Sequence, residues 1–206
     1  MKLVLKTAPT REPLYLLDVQ THCRLDETAT EEASLLNSLI TAARSHVEMI
    51  TRRALVTQTW QLLLDGWPAT DRIMLPKPPL QSVVSVTYVD SDGTTNTLDA
   101  GTYDLELAHS VPPVLNPYVS NGHLVLSYGE DWPSDTLRPA APITVEFSCG
   151  YGDAGDVPVA LKQAMLLLIG HWYENRGVIA EAKYAASLSG APFAVQALLA
   201  PFRTWS

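Results

Sequence analysis

The sequence has few of the residues that signal chemistry or membrane insertion. Its 206 residues include two cysteines, Cys23 and Cys149, which are too few for a disulfide framework. The five histidines are scattered, and no His-x-x-x-His or Glu-x-x-His pair sets two metal ligands on one helix face. The longest apolar run, 164–170, is far below the roughly 18 residues of a membrane span, and the apolar start is too short for a signal peptide. We therefore expect a soluble intracellular chain with no metal, no cofactor and no membrane partner.

One motif invites a cofactor interpretation. Gly150, Gly152 and Gly155 spell the dinucleotide-binding pattern G-x-G-x-x-G between a predicted strand and a predicted helix. However, no second parallel strand follows the helix to carry an acidic residue to a ribose. We therefore interpret the glycines as a turn that reverses the chain. The G-x-S-x-G elbow of serine hydrolases is also missing, so the sequence does not favour an enzyme.

Positive charge is scarce in the middle of the chain. The net charge is −8, and residues 57–149 carry only 3 basic groups against 11 acidic ones, whereas the two flanking segments are balanced. Such a segment is unsuited to gripping nucleic acid through its phosphates. It can be a solvated surface, or a wall past which DNA slides without sticking. The acidic residues are Asp65, Asp71, Asp90, Asp92, Asp99, Asp104, Glu106, Glu130, Asp131, Asp135 and Glu146.

Helical spacing of apolar residues predicts three helices. The first covers 16–24 and the second about 30–53, with Thr30 as its N-cap, and these two should pack as a hairpin. The third begins near Pro158 and continues to about Arg176, with Gly177 as a left-handed cap. Because the third helix is apolar almost all round, it must be covered on several sides, by the hairpin and by a neighbouring subunit.

Between the helices the apolar period changes to two, which is typical of strands. Seven short strands are predicted, and a hairpin turn is expected at 90–93. The strands are 57–64, 73–75, 83–89, 95–98, 103–107, 124–128 and 143–149. The predicted fold is α+β, with a small antiparallel sandwich or barrel inserted into a helical bundle. The segments are 1–56 (helical hairpin), 57–149 (acidic β module), 150–180 (third helix) and 181–206 (C-terminal tail).

The chain also carries a family resemblance. Its segment Gly-Tyr-Gly, Val-Pro, Leu-Lys-Gln-Ala, Leu-Leu and Gly-His-Trp-Tyr-Glu-Asn-Arg over 150–176 follows Trp-Pro-Ser-Asp at 132–135 and Arg-Pro-Ala-Ala at 138–141. Cys-Arg-Leu-Asp at 23–26 and the helix that closes on Ile-Thr-Arg-Arg-Ala-Leu-Val at 50–56 agree with it. In order and separation these segments resemble the head-tail connector (adaptor) family of long-tailed bacteriophages and gene transfer agents, in a long version with an inserted β module.

This resemblance implies a structural virion protein and not an enzyme. The expected assembly is a homo-oligomeric ring, twelve-fold in the virion, which lies in the neck beneath the portal protein at the capsid vertex. Its tail-side partner would be a stopper or tail terminator protein. DNA would pass through the ring without specific binding. The chain would be made in the cytoplasm of a bacterial host.

Two sets of residues are expected to make the contacts of this assembly. The subunit interface is assigned to the end of the third helix, because an apolar surface with Trp, Tyr and Arg is typical of interfaces. Its residues are Leu167, Ile169, Trp172, Tyr173 and Arg176. Portal docking is assigned to the tail, which commonly reaches the portal in the resembled family and whose apolar side chains a monomer should have trouble burying. Its residues are Phe193, Leu198, Leu199, Phe202 and Trp205.

Two other functions are compatible with the residues. The first is a β-rich binding module for a glycan or a virion protein, mounted on the helices, with exposed aromatic side chains near 60–67 or 118–132. The second is a hydrolase that uses Asp or Glu residues of the β module, which would require a deep pocket with at least two carboxylates.

Overall fold

Helices and antiparallel sheets build the chain in an α+β arrangement. The computed structural model describes residues 1–26, 31–107, 120–175 and 193–204. The strands are β1 (Lys2–Thr7), β2 (Gln58–Leu64), β3 (Arg72–Leu75), β4 (Leu80–Val89), β5 (Thr95–Thr97), β6 (Tyr103–Glu106), β7 (Gly122–Leu126) and β8 (Ile143–Cys149). The helices are α1 (Leu16–His22), α2 (Ala33–Thr51), α3 (Val159–Glu174) and α4 (Phe193–Leu199). The predicted α+β class and the predicted strands are therefore confirmed, whereas β1 and α4 are additions to them.

Helix α2 is the longest element in the described residues. Its side chains at 36, 40, 43 and 47 are buried and lie on one face, as the helical spacing predicts. The helix ends at Arg52, which adopts a left-handed conformation with φ of 59°. The predicted N-cap, Thr30, lies outside the described residues, and Glu32 occupies the N-cap position instead.

Helix α3 is covered mainly by its own chain. It packs against α1, α2 and α4, and Leu161, Met165 and Leu168 are buried in the helical core. Helix α4 thus covers part of the α3 surface that the sequence assigns to a neighbouring subunit. The predicted cap of α3, Gly177, lies outside the described residues.

The strands form two antiparallel sheets that share one core. The larger sheet has the order β1-β2-β8-β4-β5 and the smaller one β3-β7-β6. Phe147 and Val145 from the larger sheet and Leu124 from the smaller one belong to the same buried cluster. Along the strands they alternate with half-buried residues, which is the two-residue period that the sequence shows. The predicted hairpin turn is also present, because the Gly93 backbone amide donates to the Asp90 carbonyl oxygen at 3.2 Å between β4 and β5.

The N-terminal strand β1 extends the sheet from a segment that was assigned to the helical hairpin. It pairs antiparallel with β2 and forms one edge of the larger sheet. Lys6 Nζ lies 2.6 Å from a carboxylate oxygen of Glu146, which is on β8 beyond β2. The hydrogen bond from Lys6 lowers the pKa of Glu146. Residues 1–56 therefore contain both a sheet strand and the helical hairpin.

A joint connects the helical core to the sheets, and we define it as residues 54–57 with the turn 150–152. The Tyr151 amide donates to the Leu55 carbonyl oxygen at 3.1 Å, and the Thr57 amide donates to the Gly152 carbonyl oxygen at 3.0 Å. Gly150 has a φ of 120°, and a Cβ atom there would lie 2.4 Å from the Val56 carbonyl oxygen. The first glycine of the dinucleotide-like motif therefore serves this close backbone contact.

A buried carboxylate supports the same joint. Glu48 Oε1 accepts hydrogen bonds from the Leu55 backbone amide at 2.9 Å and from Gln58 Nε2 at 2.8 Å. Its other oxygen accepts from Arg44 Nη1 at 3.1 Å, and Arg44 also donates to Glu12. These partners satisfy a charge that would otherwise be costly to bury. The turn from α2 into β2 is thus held by Glu48.

The close contacts of the joint predict that a change to alanine destabilises the chain at Gly150 but not at Gly155. Gly150→Ala should lower the free energy of unfolding by at least about 2 kcal/mol, because a left-handed φ and a backbone clash both oppose the methyl group. Gly155→Ala is the matched control, since a Cβ atom at Gly155 meets nothing within 4 Å. Chemical denaturation of both variants measures the difference. Equal stability of the two variants would contradict this account of the joint.

Candidate assembly surfaces

The end of α3 contacts other parts of its own chain. Ile169 is fully buried in the helical core, so its side chain cannot contact a neighbour, which corrects that part of the interface prediction. Leu167 is half-buried against the same core. Trp172 meets the His46 ring edge-on with centroids 5.9 Å apart, and the Tyr173 hydroxyl donates to the Glu32 carboxylate. An interface role for Leu167, Trp172 and Tyr173 stays a prediction, and Arg176 lies outside the described residues.

The C-terminal residues divide into buried and exposed groups. Leu199 is fully buried and Phe202 nearly so, both within the helical core, so the expectation that a monomer leaves them uncovered is wrong. Leu198 is half-buried against that core. Phe193, at the start of α4, is 86% exposed. Trp205 lies outside the described residues, so Phe193 is the predicted docking side chain that the structure leaves open to solvent.

A buried arginine holds the C-terminal segment in place. Arg53 is 1% exposed, and its Nε donates to the Phe202 carbonyl oxygen at 2.6 Å. Its Nη1 donates to the Tyr151 hydroxyl at 3.3 Å, which ties the same side chain to the joint. Burial lowers the pKa of Arg53 and raises that of Tyr151. Beside this site the Thr204 hydroxyl donates to the Thr51 carbonyl oxygen at 3.1 Å.

This role of Arg53 was missed at the sequence level. The pair Arg52 and Arg53 suggests only that cations complement the C-terminal end of α2. Nothing in the local pattern distinguishes the exposed Arg52 from the buried Arg53. The distinction depends on residue 202, which is far away in the sequence.

The carboxylates of the β module have two kinds of surroundings. Several stabilise the module itself: Asp90 accepts from the backbone amides of residues 92 and 94, Asp99 from that of Gly101, and Asp104 from the Ser127 hydroxyl. Asp71 and Glu106 lie 3.6 Å from Arg72 nitrogen atoms. Asp65 lies 3.5 Å from the N-terminal amino group, and Asp135 accepts from the Tyr88 hydroxyl at 3.0 Å. The carboxylates at 92, 130 and 131 are also exposed. The acidic character is therefore partly structural.

Three aromatic residues of the β module pack on one another, whereas Tyr128 is exposed. Trp67 and Trp132 stack with ring centroids 4.9 Å apart, and Tyr88 meets Trp67 edge-on at 5.7 Å. Trp132 Nε1 donates to the Thr70 carbonyl oxygen at 2.8 Å. Because the two indole faces cover each other, this cluster holds the 127–142 region to the sheet. The facing surfaces of these two rings are therefore not free to stack on a sugar, as the glycan-binding alternative would require.

The described residues contain neither a cluster of metal-binding side chains nor a helix of membrane-spanning character. Within the four described ranges, no three His, Cys, Asp or Glu side chains are grouped so that they could hold a metal ion. In that same part of the chain no helix combines the length and apolar character that a membrane span needs. Burial raises the pKa of the Cys149 thiol, as befits a core side chain.

Comparisons with known proteins match the chain along most of its length. The model of a family described as phage gp6-like head-tail connector protein matches residues 14–101 and 134–203. The comparison with curated proteins gave no match. The fold is similar to that of a chain in the neck of an empty GTA particle computed with C6 symmetry, with a TM-score of 0.79 and 25% identity over 100% of this chain and 97% of that one.

Two further structures show the same similarity. A chain in the neck of a native GTA particle computed with C12 symmetry aligns with a TM-score of 0.75 and 25% identity. A chain in the virion of a native gene transfer agent (GTA) particle aligns with a TM-score of 0.74 and 27% identity. In both comparisons the alignment covers 100% of this chain and 97% of the other.

The hydrogen bond from Arg53 to Phe202 predicts that replacing Arg53 loosens the C-terminal segment 195–204. Arg53→Met should cost about 1–3 kcal/mol, because it leaves the buried Phe202 carbonyl oxygen without its donor. Amide hydrogen exchange should then accelerate in 195–204 more than in α2. Arg203→Met, at an exposed position, is the matched control and should change neither stability nor exchange. Unchanged exchange in the Arg53 variant would contradict the anchoring role.

Proposed function

The chain belongs to the phage gp6-like head-tail connector family, and we propose that its copies form a twelve-fold ring beneath the portal at the capsid vertex. It is a structural protein of the virion neck and not an enzyme. In the proposed assembly the ring joins the portal to a tail-side stopper or tail terminator protein. DNA passes through the central channel without specific binding.

One observation carries the proposal. The full length of the chain shares its fold with neck chains of GTA particles computed with C6 and C12 symmetry, and the alignment leaves out almost none of either chain. Similarity over the whole chain supports a homo-oligomeric ring better than similarity in the helices alone, because the β module is included. A ring with cyclic symmetry repeats one chain around a channel.

The proposal divides the chain by role. Residues 1–56 and 150–180 form the helical connector bundle, 57–149 form an inserted small antiparallel sandwich, and 181–206 form the docking tail. We assign β1 to the sandwich, since it pairs with β2. The joint then fixes the angle between the bundle and the sandwich within each subunit.

The acidic β module borders the DNA path in this proposal. Like charge repels the phosphate backbone, so a wall of carboxylates keeps DNA mobile. Asp92, Glu130 and Asp131 are exposed, and they are the ones whose replacement should leave the module folded. The competing orientation places the module on the outside, where its charge serves solubility.

The portal contact is assigned to the exposed part of the C-terminal segment. Phe193 carries this role among the described residues, because Leu199 and Phe202 are already covered by the helical core. Leu198, which is half-buried, is a second candidate, and the role of Trp205, which lies outside the described residues, stays a prediction. Leu199 and Phe202 would instead hold α4 in a fixed position on the helical core, so that Phe193 faces a partner.

Electron microscopy of the chain with portal-containing heads tests the assignment. A ring of this chain on the portal, with the helical and β parts resolved, is the expected result. A monomer bound at another place on the particle, or no binding to heads that already carry the portal, would contradict the connector function.

The docking assignment predicts the effect of a single exposed side chain. Phe193→Asp should reduce recruitment to portal-containing heads by about fivefold or more, since an aromatic anchor at an interface commonly contributes over about 1 kcal/mol. Val84→Asp, at another exposed apolar position, is the control. Co-sedimentation with heads measures recruitment. Equal recruitment of both variants would show that Phe193 is not the docking side chain.

The channel assignment predicts the effect of reversed charge. Replacing Asp92, Glu130 and Asp131 with Lys should slow DNA ejection in a salt-dependent way, because each new cation can contact a phosphate. Ring assembly should remain intact. An unchanged ejection rate in assembled particles would place the module outside the channel and leave the connector function standing.

A further inference from the structure

A cleft with excess positive charge lies beside α2, and we call it the basic cleft. It encloses about 520 Å³ between the end of β1, the C-terminal half of α2 and β2. Met49 is 66% exposed and Leu5 is 43% exposed along it, so its floor is apolar and open. Such exposed apolar side chains in one cleft are typical of a protein contact surface.

The ionisable residues of the basic cleft are unequal in sign. Three cations, Arg44, Arg52 and Lys77, line the cleft with one carboxylate, Glu48. A second carboxylate, Glu12, borders it through its ion pair with Arg44 at 2.7 Å. Lys77 Nζ lies 5.3 Å from the centroid of the Trp60 ring, which fixes one cation over an apolar wall. The cleft therefore presents apolar surface bordered by net positive charge.

A second surface lies between α1 and the start of α3, and we call it the acidic groove. It encloses about 400 Å³ and includes Leu17, which is 51% exposed, and Val159, which is 76% exposed. Asp18 lines it, and Lys162 donates from it to the Ala154 carbonyl oxygen at 3.1 Å.

Carboxylates also border the acidic groove. The turn that accepts the hydrogen bond from Lys162 carries Asp153 and Asp156, both of which are exposed. Together with Asp18 they outnumber the one lysine. The groove thus combines open apolar side chains with net negative charge, which is the complement of the basic cleft.

The two surfaces face opposite directions. At roughly 100° per residue, Ser45 and Met49 lie about half a turn from the core-facing side of α2. On α3, the groove residues Val159, Gln163 and Leu166 lie about half a turn from the core-facing Leu161, Met165 and Leu168. Because α2 and α3 pack their core sides together, the cleft lies beyond one helix and the groove beyond the other.

We propose that the basic cleft of one copy receives the acidic groove of the next copy in a head-to-tail contact. This inference rests on the proposed function, because a closed ring of more than two copies needs two different, complementary surfaces on each chain. Opposite placement, matching apolar exposure and opposite charge are the properties that such a pair requires. The contact differs from the interface at the end of α3 that the sequence suggests.

Two variants test the pairing, each with one surface blocked. Met49→Glu places a carboxylate in the cleft, where it would face the acidic groove, and Val159→Arg places a cation in the groove, where it would face the basic cleft. Both positions are exposed, so the fold should be retained. Val84→Glu, exposed on β4 and part of neither surface, is the matched control.

Sedimentation of the purified chains distinguishes the possible arrangements. Where the unaltered chain forms rings, each blocked variant alone should remain a monomer, and an equimolar mixture of the two should assemble into dimers or larger species. The mixture assembles because one variant keeps its groove and the other keeps its cleft, and because the new carboxylate and the new cation attract each other. Rings from either variant, or a mixture that stays monomeric, would overturn the pairing while leaving ring formation itself intact.

If the unaltered chain is monomeric in isolation, nuclear magnetic resonance tests the pairing instead. Unlabelled Val159→Arg chain is added to ¹⁵N-labelled Met49→Glu chain, up to the highest soluble concentration. Amide shifts should change in 16–21 and 159–166, around the intact groove of the labelled chain. Absence of shifts, or shifts confined to other surfaces, would overturn the proposal. Failure of the unaltered chain to form any ring on portal-containing heads would instead refute the proposed function.

Discussion

The structure depends on satisfying buried polar groups where the helical core meets the sheets. Backbone groups that leave water must find partners, or each costs free energy comparable to a lost hydrogen bond. At the joint the Leu55 amide finds the Glu48 carboxylate, and the Gly150 amide donates to the Pro79 carbonyl oxygen at 2.8 Å. Arg53 extends the same network to the C-terminal segment. The two cores are therefore connected by specific hydrogen bonds as well as by chain continuity.

This connection has a direct bearing on assembly. A ring subunit must keep its neighbour contacts and its channel-side surface at a constant angle, because any error repeats around the ring. Glu48 and Arg44 support the joint and also line the basic cleft. Arg53 holds Phe202, and thereby α4, against the helical core. The same buried groups that stabilise the chain thus position the surfaces that we propose to meet its partners.

Local patterns predicted much of the fold, and long-range contacts account for what they missed. Helix α2 and the seven central strands follow from apolar periodicity, which depends only on near neighbours. Strand β1 was missed because six residues with lysines near both ends become a strand only by pairing with β2. The burial of Ile169 was missed because the segments that build the helical core are remote from one another in sequence. Arg53 was missed for the same reason, since its acceptor is on Phe202. The family itself was recognised from motif order, and the comparisons confirm it.

Native-state hydrogen exchange at the joint tests the central claim most directly. The amides of Leu55, Thr57, Gly150 and Tyr151 lie in the joint, and each donates a hydrogen bond. If the joint couples the two cores, these amides should exchange only by global unfolding, with the same free energy as the core amides of α2 and β8. Exchange by a lower-energy local opening, or separate unfolding of the helical and sheet cores in denaturant, would contradict the coupling.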